Sequence, residues 1–489
     1  MKYFILFFFL YIYTNLFSQN FPFPLHYQYI SESIKPNNHT QTQLDADVTS
    51  FYNSWKVKYF KNNCGANQYY VWFGDNDPNA ICVSEGQGYG MIIAAYMAGY
   101  DAEAKIIFDG LYNFYKAHPS EINNNLMAWQ QGTSCNDING VNAATDGDMD
   151  IAYALLLADK QWGSLGSINY LQAATNIINA IMSNEINANT YSIMLGDWAT
   201  SSNYYNATRP SDFMPDHFRA FYSSTSDNKW KQVIDKCYTI VSTIQTNQSS
   251  TTGLLPDFVI NCNTTPIPAL SNFLEGENDG DYNYNSCRVP WRLATDFLIT
   301  GEPRSKTAVN KINTWIKSHT SSNPANIFSG YTLSGGNISG NNYSAPSFIG
   351  PFAVGAMLDN TNQTWLNETY DYLIAQNLAD NTYFGNTLKM LCLIVLSGNY
   401  WPPYSVTDIE NYKNNFRLTI SPNPAHNTIS INTTYNATIE ITTIQGQILK
   451  TIKNSDKNTI VDINNLSKGV YIIKAITDKE IATKKFIKE

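Results

Sequence analysis

Apolar residues recur at helical spacing along most of the chain, in about twelve stretches separated by loops rich in Gly, Asn and Ser. Few segments in this region show the alternation of apolar and polar residues that is typical of β-strands. Twelve helices make six hairpins, so the pattern predicts an all-α (α/α)6 toroid for a domain over 20–400. The spacing places helices near 42–58, 84–100, 102–117, 147–161, 168–185, 212–223, 228–246, 286–300, 304–318, 346–358, 363–377 and 384–397.

The pattern changes after residue 416, where short β-branched runs separated by turn residues replace the helical spacing. These runs predict a small all-β sandwich domain over 416–489. A linker over 401–415, which opens with Trp401-Pro402-Pro403-Tyr404, should join the two domains. The runs lie at 418–420, 428–431, 438–444, 448–452, 459–463 and 470–476.

The chain begins with one positive charge, Lys2, an almost wholly apolar run over 4–13 and the small residue Ser18. This order predicts a signal peptide over 1–18. A membrane anchor is the alternative, but the run is shorter than the roughly 20 residues of a spanning helix. No later segment is apolar for long enough, so we expect no membrane span.

Seven cysteines are present, so at least one should stay free, and export would permit disulfides among the others. None has zinc-site spacing. The run Asp146-x-Asp148-x-Asp150 lacks the Gly and distal Glu of a calcium loop. We therefore expect no metal and no other cofactor. The cysteines are Cys64, Cys82, Cys135, Cys237, Cys262, Cys287 and Cys392.

Charge differs between the two predicted domains. From residue 411 onward there are 11 basic and 6 acidic residues, a net charge of +5, whereas the remainder carries 20 basic and 34 acidic residues, a net charge of −14. An acidic body argues against a nucleic-acid partner, because neutralising phosphates needs a basic surface. Aromatic residues make up 14%, which suits sugar rings but equally fills a helical core.

Three segments carry the candidate chemistry. In the segment 83–91, Ser84 and Gln87 could form a helix cap, but three glycines near Glu85 indicate a close approach of ligand to backbone. The segment 144–152 places Asp146, Asp148 and Asp150 at alternate positions, where they repel one another. The segment 273–292 runs from an acidic loop into a helix with Arg288 and Arg292 on one face, suited to holding carboxylates or to a surface ion-pair network.

Three stretches in and around these segments resemble the signatures of glycoside hydrolase family 8, and the likeness extends over about 45–400. They are Ser84 to Gly90, Ala144 to Trp162 and Cys287 to Arg292. The family includes endoglucanases, licheninases, xylanases and chitosanases. The resemblance implies an (α/α)6 fold and inversion at the anomeric carbon, with Glu85 as proton donor and Asp146 binding the sugar that is cleaved. Because a helix N-terminus favours the anion, burial and the charge of Asp146 would have to keep Glu85 protonated.

One position departs from many members of the family. They have Asp as the catalytic base where this chain has Asn285, whose amide cannot deprotonate water. The sequence resembles a second subgroup, typified by chitosanases and licheninases, that takes its base from a Glu in the preceding loop. Glu275 is the first candidate for this base and Glu277 the second.

The resemblance also suggests which residues contact sugar. We expect substrate-binding roles for Tyr89, Trp129, Asp148, Tyr284, Asn285 and Arg288, with Trp198, Tyr204 and Tyr205 as further stacking platforms. Two loops, 186–211 and 250–285, exceed usual connection lengths and are therefore expected to be functional.

The C-terminal domain has a likeness of its own. Ile420-to-Pro424, Gln445-to-Gln447, Leu466-to-Tyr471 and Lys484-to-Lys488 resemble the sorting domain of type IX secretion substrates. This implies a partner in the type IX machinery and a secreted or cell-surface location. A carbohydrate-binding module is the alternative, but Tyr435 and Tyr471 are isolated and form no aromatic row.

The sequence thus predicts a secreted endo-hydrolase of a β-1,4-linked polysaccharide, either a β-glucan of cellulose or mixed-linkage type or chitosan. A xylanase or exo-oligoxylanase of the same family and an inactive glycan-binding protein remain alternatives. A polysaccharide lyase would need a basic cleft for uronates, which the charge of −14 disfavours.

Overall fold

The computed structural model describes residues 19–201, 203–406, 418–433, 436–443, 447–477 and 481–489. The chain divides into two compact units, one up to Tyr404 and one from Ser405. The predicted signal peptide over 1–18 lies outside the described residues and stays a prediction. Among the helices that are described, none is long and apolar enough to cross a membrane.

The first unit contains the twelve predicted α-helices, and each differs from its predicted bounds by only a few residues. The all-α toroid predicted for this region is therefore confirmed. The helices are α1 (Gln41–Tyr59), α2 (Ser84–Tyr96), α3 (Ala104–Ala117), α4 (Thr145–Trp162), α5 (Tyr170–Asn184), α6 (Pro215–Thr225), α7 (Lys229–Asn247), α8 (Val289–Thr300), α9 (Pro303–His319), α10 (Pro346–Ala356), α11 (Gln363–Ile374) and α12 (Tyr383–Leu396).

Burial divides these helices into two rings. The odd-numbered helices bury one face only: in α1 the buried residues are Leu44, Val48, Tyr52, Trp55 and Tyr59, at intervals of three or four. The even-numbered helices are buried over most of their surface and form the inner ring. Each inner helix contacts the next, and α12 contacts α2, which closes the ring.

Short antiparallel strand pairs lie in the loops of the toroid. They are β1 (Phe60–Lys61) with β2 (Tyr70–Val71), β3 (Ala80–Val83) with β4 (Gln130–Gly132), and β5 (Val259–Ile260) with β6 (Ile267–Pro268). A disulfide between Cys64 and Cys135 joins the loop after β1 to the loop after β4. The other five cysteines are free and buried, whereas the odd count required only that at least one be free.

The second unit consists of two antiparallel sheets, with strand orders β11-β8-β7 and β10-β9-β12-β13. All six predicted strands are present, and the seventh, β13, completes the second sheet. Alternate residues such as Ile439, Ile441 and Ile473 fill the core between them. The strands are β7 (Leu418–Ser421), β8 (Thr428–Thr433), β9 (Ala437–Thr443), β10 (Ile448–Ser455), β11 (Asn458–Asp462), β12 (Gly469–Ile476) and β13 (Ile481–Lys488).

The start of the predicted linker belongs to the toroid instead. Trp401 is buried and stacks on Phe21 at 4.4 Å between ring centroids. Tyr404 donates a hydrogen bond of 2.5 Å to the buried Asp216. The aromatic rings on either side of the two prolines therefore anchor the end of the toroid, and the first compact unit extends to Tyr404. Residues 407–417 lie outside the described part of the chain.

Candidate active site

A cleft of about 760 Å³ opens where loops meet the ends of inner helices. Its volume lies within the range of roughly 300–1,000 Å³ that small-molecule sites occupy. The two long loops predicted to be functional both contribute to its wall, through Arg209 and Glu275. Its polar and aromatic lining consists of Phe73, Asp75, Asn76, Ser84, Glu85, Trp129, Asp146, Arg209, Glu275, Tyr284, Asn285, Tyr343, Ser344, Ser347, Asp380, Asn381, Thr382 and Phe384.

Glu85 lies at the floor of this cleft, where β3 runs directly into the first turn of α2. Its side chain is 16% exposed. The Tyr383 hydroxyl donates to Oε1 at 2.9 Å, and Arg288 Nη1 donates to Oε2 at 2.5 Å. Since Oε2 faces a permanent donor, a proton on this carboxyl belongs on Oε1.

Burial is the largest influence on this carboxyl and raises the pKa of Glu85 to about 7. The negative charge of Asp146 acts in the same direction. Arg288, the Tyr383 hydroxyl and Arg209 act against it. The two influences expected from the sequence to keep Glu85 protonated, burial and the charge of Asp146, are thus the two that raise this pKa.

Asp146 is nearly fully buried in the first turn of α4 and lies between two guanidinium groups. Arg288 Nη1 donates to Oδ2 at 2.9 Å, and Arg209 Nη2 lies 3.4 Å from Oδ1. Burial alone would raise the pKa of Asp146, but the charges of Arg209 and Arg288 outweigh it and lower the pKa to about 2. Asp146 is therefore a permanent anion beside Glu85.

The three alternating carboxylates of α4 avoid mutual repulsion by pointing to different places. Asp146 reaches the cleft, whereas Asp150 is paired with Arg292 Nη2 at 2.5 Å and with His217 Nε2 at 3.0 Å. Asp148 is fully buried and does not line the cleft, so its predicted substrate-binding role is wrong. The helical rotation of about 200° between i and i+2 turns it away from the cleft.

Asp148 instead faces a second buried acid. Its Oδ1 accepts the Met127 N–H at 2.8 Å, while its Oδ2 and both carboxyl oxygens of Glu185 have no hydrogen-bond donor in the structure. Burial, followed by the nearby negative charges, raises the pKa of Glu185 well above its usual range, and burial does the same for Asp148. Two such carboxyls are stable together only when they hold a proton between them.

This pair makes stability depend on pH. Because both folded-state pKa values are raised, the folded chain holds protons that the unfolded chain releases above about pH 4, and stability falls as pH rises from there. Glu185→Gln removes one such group, so the fall between pH 5 and 9 should be shallower, by up to about 1.4 kcal/mol per pH unit. Chemical denaturation across this range checks it, with the exposed Glu32→Gln as control. Equal slopes in wild type and Glu185→Gln would contradict the shared proton.

The glycines around Glu85 have a different use from the predicted one. A side chain at Gly86 would meet the Tyr383 hydroxyl at 2.8 Å, and one at Gly88 would meet Asp150 Cβ at 2.6 Å. They therefore allow close packing against α12 and α4 rather than approach of a ligand. The helix cap considered for Ser84 and Gln87 is also absent, since α2 has no side-chain cap.

Arg288 and Asn285 connect the floor of the cleft to Glu275. Arg288 Nη2 donates to Asn285 Oδ1 at 3.0 Å. This fixes the amide so that Asn285 Nδ2 donates to Glu275 Oε2 at 2.8 Å. Arg288 and Arg292 are both buried and hold carboxylates, so the alternative of a surface ion-pair network is wrong. Arg288 does not line the cleft, so its predicted substrate-binding role is wrong as well.

The loop that carries Glu275 is fixed by a carboxylate of its own. Asp279 Oδ2 accepts the N–H groups of Leu274 at 2.7 Å and Glu275 at 3.0 Å, and its Oδ1 accepts that of Gly276 at 2.9 Å. Glu275 is half exposed and lines the cleft. Glu277 is exposed and does not line it. The geometry thus favours Glu275 of the two candidate bases.

The predicted aromatic platforms fall into three groups. Trp129 and Tyr284 line the cleft, Trp129 anchored by Nε1 donating to the Asn139 carbonyl at 2.9 Å. Tyr89 is fully buried with its hydroxyl 3.2 Å from Arg288 Nη1, so its predicted role in sugar binding is wrong. Trp198, Tyr204 and Tyr205 are half-buried around a separate apolar cluster and do not line the cleft.

Among the residues of this site that sequence reasoning missed, three touch a predicted one. Tyr383 touches Glu85, Arg209 touches Asp146, and Tyr343 shares a 2.6 Å hydroxyl contact with Tyr284. Arg209 stands at the end of a loop flagged for its length, which was a usable signal. Tyr383 and Tyr343 had none, because isolated tyrosines are common in this chain.

The chain matches two family models. The model described as glycosyl hydrolases family 8 matches residues 41–398, and that described as a secretion system C-terminal sorting domain matches residues 419–489. Both resemblances read from the sequence are confirmed.

Individual relatives agree with the first match. A β-glucanase of Niallia circulans is 50% identical over 382 residues, 78% of this chain and 91% of the relative. An endoglucanase of Bacillus sp. (strain KSM-330) is 41% identical over 390 residues, 78% of this chain and 82% of the relative. The apo structure of a β-1,3-1,4-glucanase from Paenibacillus sp. X4 superimposes with a TM-score of 0.76 at 49% identity, covering 78% of this chain and 99% of that one. A reducing-end-xylose releasing exo-oligoxylanase, at 18% identity and a TM-score of 0.62, shares the fold.

Proposed function

The chain belongs to glycosyl hydrolases family 8, and we propose that it cleaves a β-glucan within the polymer by an inverting mechanism, with Glu85 as general acid and Glu275 as general base. The observation that carries this assignment is the contrast between the two carboxyls on one cleft. Glu85 is nearly buried with a pKa of about 7, whereas Glu275 is half exposed, accepts a hydrogen bond from Asn285 and lies beside Arg209.

The two environments suit opposite proton transfers. In the proposed reaction, Glu85 Oε1 gives its proton to the glycosidic oxygen as the bond to the anomeric carbon breaks. Glu275 takes a proton from a water that attacks this carbon from the other ring face, which inverts its configuration. The carboxyls then exchange protons with solvent to restore the starting state.

Asp146 supports the acid through its charge. In Asp146→Asn we expect the alkaline limb of the kcat/KM profile, near pH 7 in wild type, to move down by about one pH unit, the scale of a neighbouring-charge effect. The sign follows because removing the anion lowers the pKa of Glu85. Arg288 then has no Asp146 carboxylate to neutralise it, so its positive charge lowers the pKa of Glu85 further. Asp380→Asn, which removes another cleft carboxylate, is the control and should leave the limb in place. An unmoved limb in Asp146→Asn would refute this role.

The substrate proposal rests on the relatives and on the cleft. The relatives at 50% and 49% identity are a β-glucanase and a β-1,3-1,4-glucanase. Trp129 and Tyr284 offer aromatic faces on which uncharged glucose rings can stack. Five carboxyls and one arginine, Arg209, line the cleft. Because this lining is acidic, the cationic polymer chitosan remains a second candidate. The carboxyls are those of Asp75, Glu85, Asp146, Glu275 and Asp380.

A substrate panel tests the function directly. Reducing-sugar release from barley β-glucan, carboxymethylcellulose, chitosan and xylan should be fastest on β-glucan, and NMR should show the α-anomer as first product. Fastest release from chitosan or xylan would overturn the glucan proposal. No release from any polymer would favour a glycan-binding protein.

The second family match concerns location. The chain carries a C-terminal sorting domain, which supports type IX secretion to the cell surface or beyond. We propose that residues 1–18 act as the signal peptide for the first export step and that residues 416–489 direct the second.

A further inference from the structure

Arg209 lies between two of the carboxylates that line the cleft, Asp146 and Glu275. Its side chain is 12% exposed. Nη1 lies 3.6 Å from Glu275 Oε1, and Nη2 lies 3.4 Å from Asp146 Oδ1. One guanidinium thus reaches both acids with separate nitrogens.

The orientation of Arg209 is fixed from behind. Its Nε donates to Asp212 Oδ2 at 3.2 Å, and the Asp212 side chain is fully buried. Asp212 Oδ1 in turn accepts from the Ser211 hydroxyl at 3.0 Å. The preceding backbone is held as well, because Thr208 and Val259 exchange two N–H···O bonds of 2.9 Å. The guanidinium fork is therefore presented to the cleft by a rigid support.

Glu275 needs such a partner more than the other acids do. It stands on a loop and is half exposed, and within the described part of the chain its side chain has one hydrogen bond, from the Asn285 amide, and one ion pair, with Arg209. A long, exposed side chain with one anchor samples several rotamers. A second contact on the other oxygen leaves one orientation, with both oxygens held toward the cleft.

We propose that Arg209, held by Asp212, is a positioning residue that aims the Glu275 carboxylate at the attacking water and couples it electrostatically to Asp146. The proposal rests on the assignment of Glu275 as base. The separation of 3.6 Å is that of an ion pair rather than a hydrogen bond, and substrate that displaces water from the cleft strengthens it.

The test compares Arg209→Gln, Arg209→Lys and Asp212→Asn with Arg304→Gln, an arginine outside the cleft that pairs with Asp235 and Glu302. Arg209→Gln should lower kcat by 10- to 100-fold with a smaller change in KM. Its alkaline limb should move to higher pH, because Arg209 lowers the pKa of Glu85. Arg209→Lys should restore the limb but recover kcat only in part, since an ammonium lacks the fork. The kcat of Asp212→Asn should lie between those of Arg209→Gln and Arg209→Lys, and the kcat and alkaline limb of Arg304→Gln should match those of wild type.

A double-mutant cycle separates this proposal from the function on which it rests. If Arg209 acts through Glu275, Arg209→Gln should cost less than about threefold in the Glu275→Gln background, measured by single-turnover cleavage of a labelled oligosaccharide. Equal losses in both backgrounds, or wild-type kcat in Arg209→Gln, would overturn the positioning role while leaving the hydrolase intact. Near-normal turnover of Glu275→Gln itself would instead refute the assigned base.

Discussion

Replacing Glu85 by Gln should reduce kcat on β-glucan by about a thousandfold, the scale of general-acid catalysis. The amide keeps the size of the carboxyl and can still accept from Arg288 through its oxygen, but it carries no acidic proton for the leaving oxygen. KM should change little. The melting temperature of the toroid should stay level or rise, because a buried ionisable group is removed.

The nature of the leaving group distinguishes loss of the acid from general damage to the site. A β-glycosyl fluoride of the same oligosaccharide departs without protonation, so Glu85→Gln should hydrolyse it at a rate close to that of wild type. Equal losses on glucan and fluoride would contradict the acid role, as would more than a tenth of wild-type activity on glucan.

Replacing Glu275 by Gln should also cost about a thousandfold in kcat, but with the opposite dependence on the leaving group. A base that activates water is needed whatever leaves, so the fluoride should not restore the rate. The amide also cannot accept at both oxygen positions, so the contact with Asn285 or that with Arg209 is lost.

Glu277 supplies a matched control on the same loop. It is an exposed glutamate two residues away that does not line the cleft. Glu277→Gln should keep at least half of wild-type activity. If Glu277→Gln lost activity and Glu275→Gln kept it, the base would be Glu277 and the loop would have to rearrange on binding substrate.

The sequence determined the toroid because helix formation and burial depend on local spacing. The twelve apolar stretches became twelve helices, but apolar content did not assign them to the two rings, because the inner α6 is less apolar than the outer α5. The change to β-branched runs after residue 416 located the second domain in the same way. The sequence placed the start of the linker at Trp401 because a Pro-Pro pair between aromatic residues is typical of a break between domains. The contacts that join this segment to the toroid come from residues distant in sequence, since Phe21 stacks on Trp401 and Asp216 accepts from Tyr404.

The sequence also predicted Glu85, Asp146, Asn285 and Glu275 as site residues, and all four line the cleft, but the prediction came through resemblance to a family rather than through chemistry visible in the chain. Spacing alone could not tell Asp146 from Asp148. Both stand in the first turn of one helix, and only the tertiary structure decided that one meets two arginines in a cleft and the other meets Glu185 in the core.

Tertiary structure alone decided the electrostatics of the site. Glu85 and Arg288 are 203 residues apart in sequence, and Glu85 and Tyr383 are 298 apart, yet Arg288 and Tyr383 both touch Glu85. A pKa depends on burial and on charges within a few ångströms, and both exist only after the ring has closed. Local sequence therefore fixed which helices form, while closure of the ring fixed which carboxyl holds a proton.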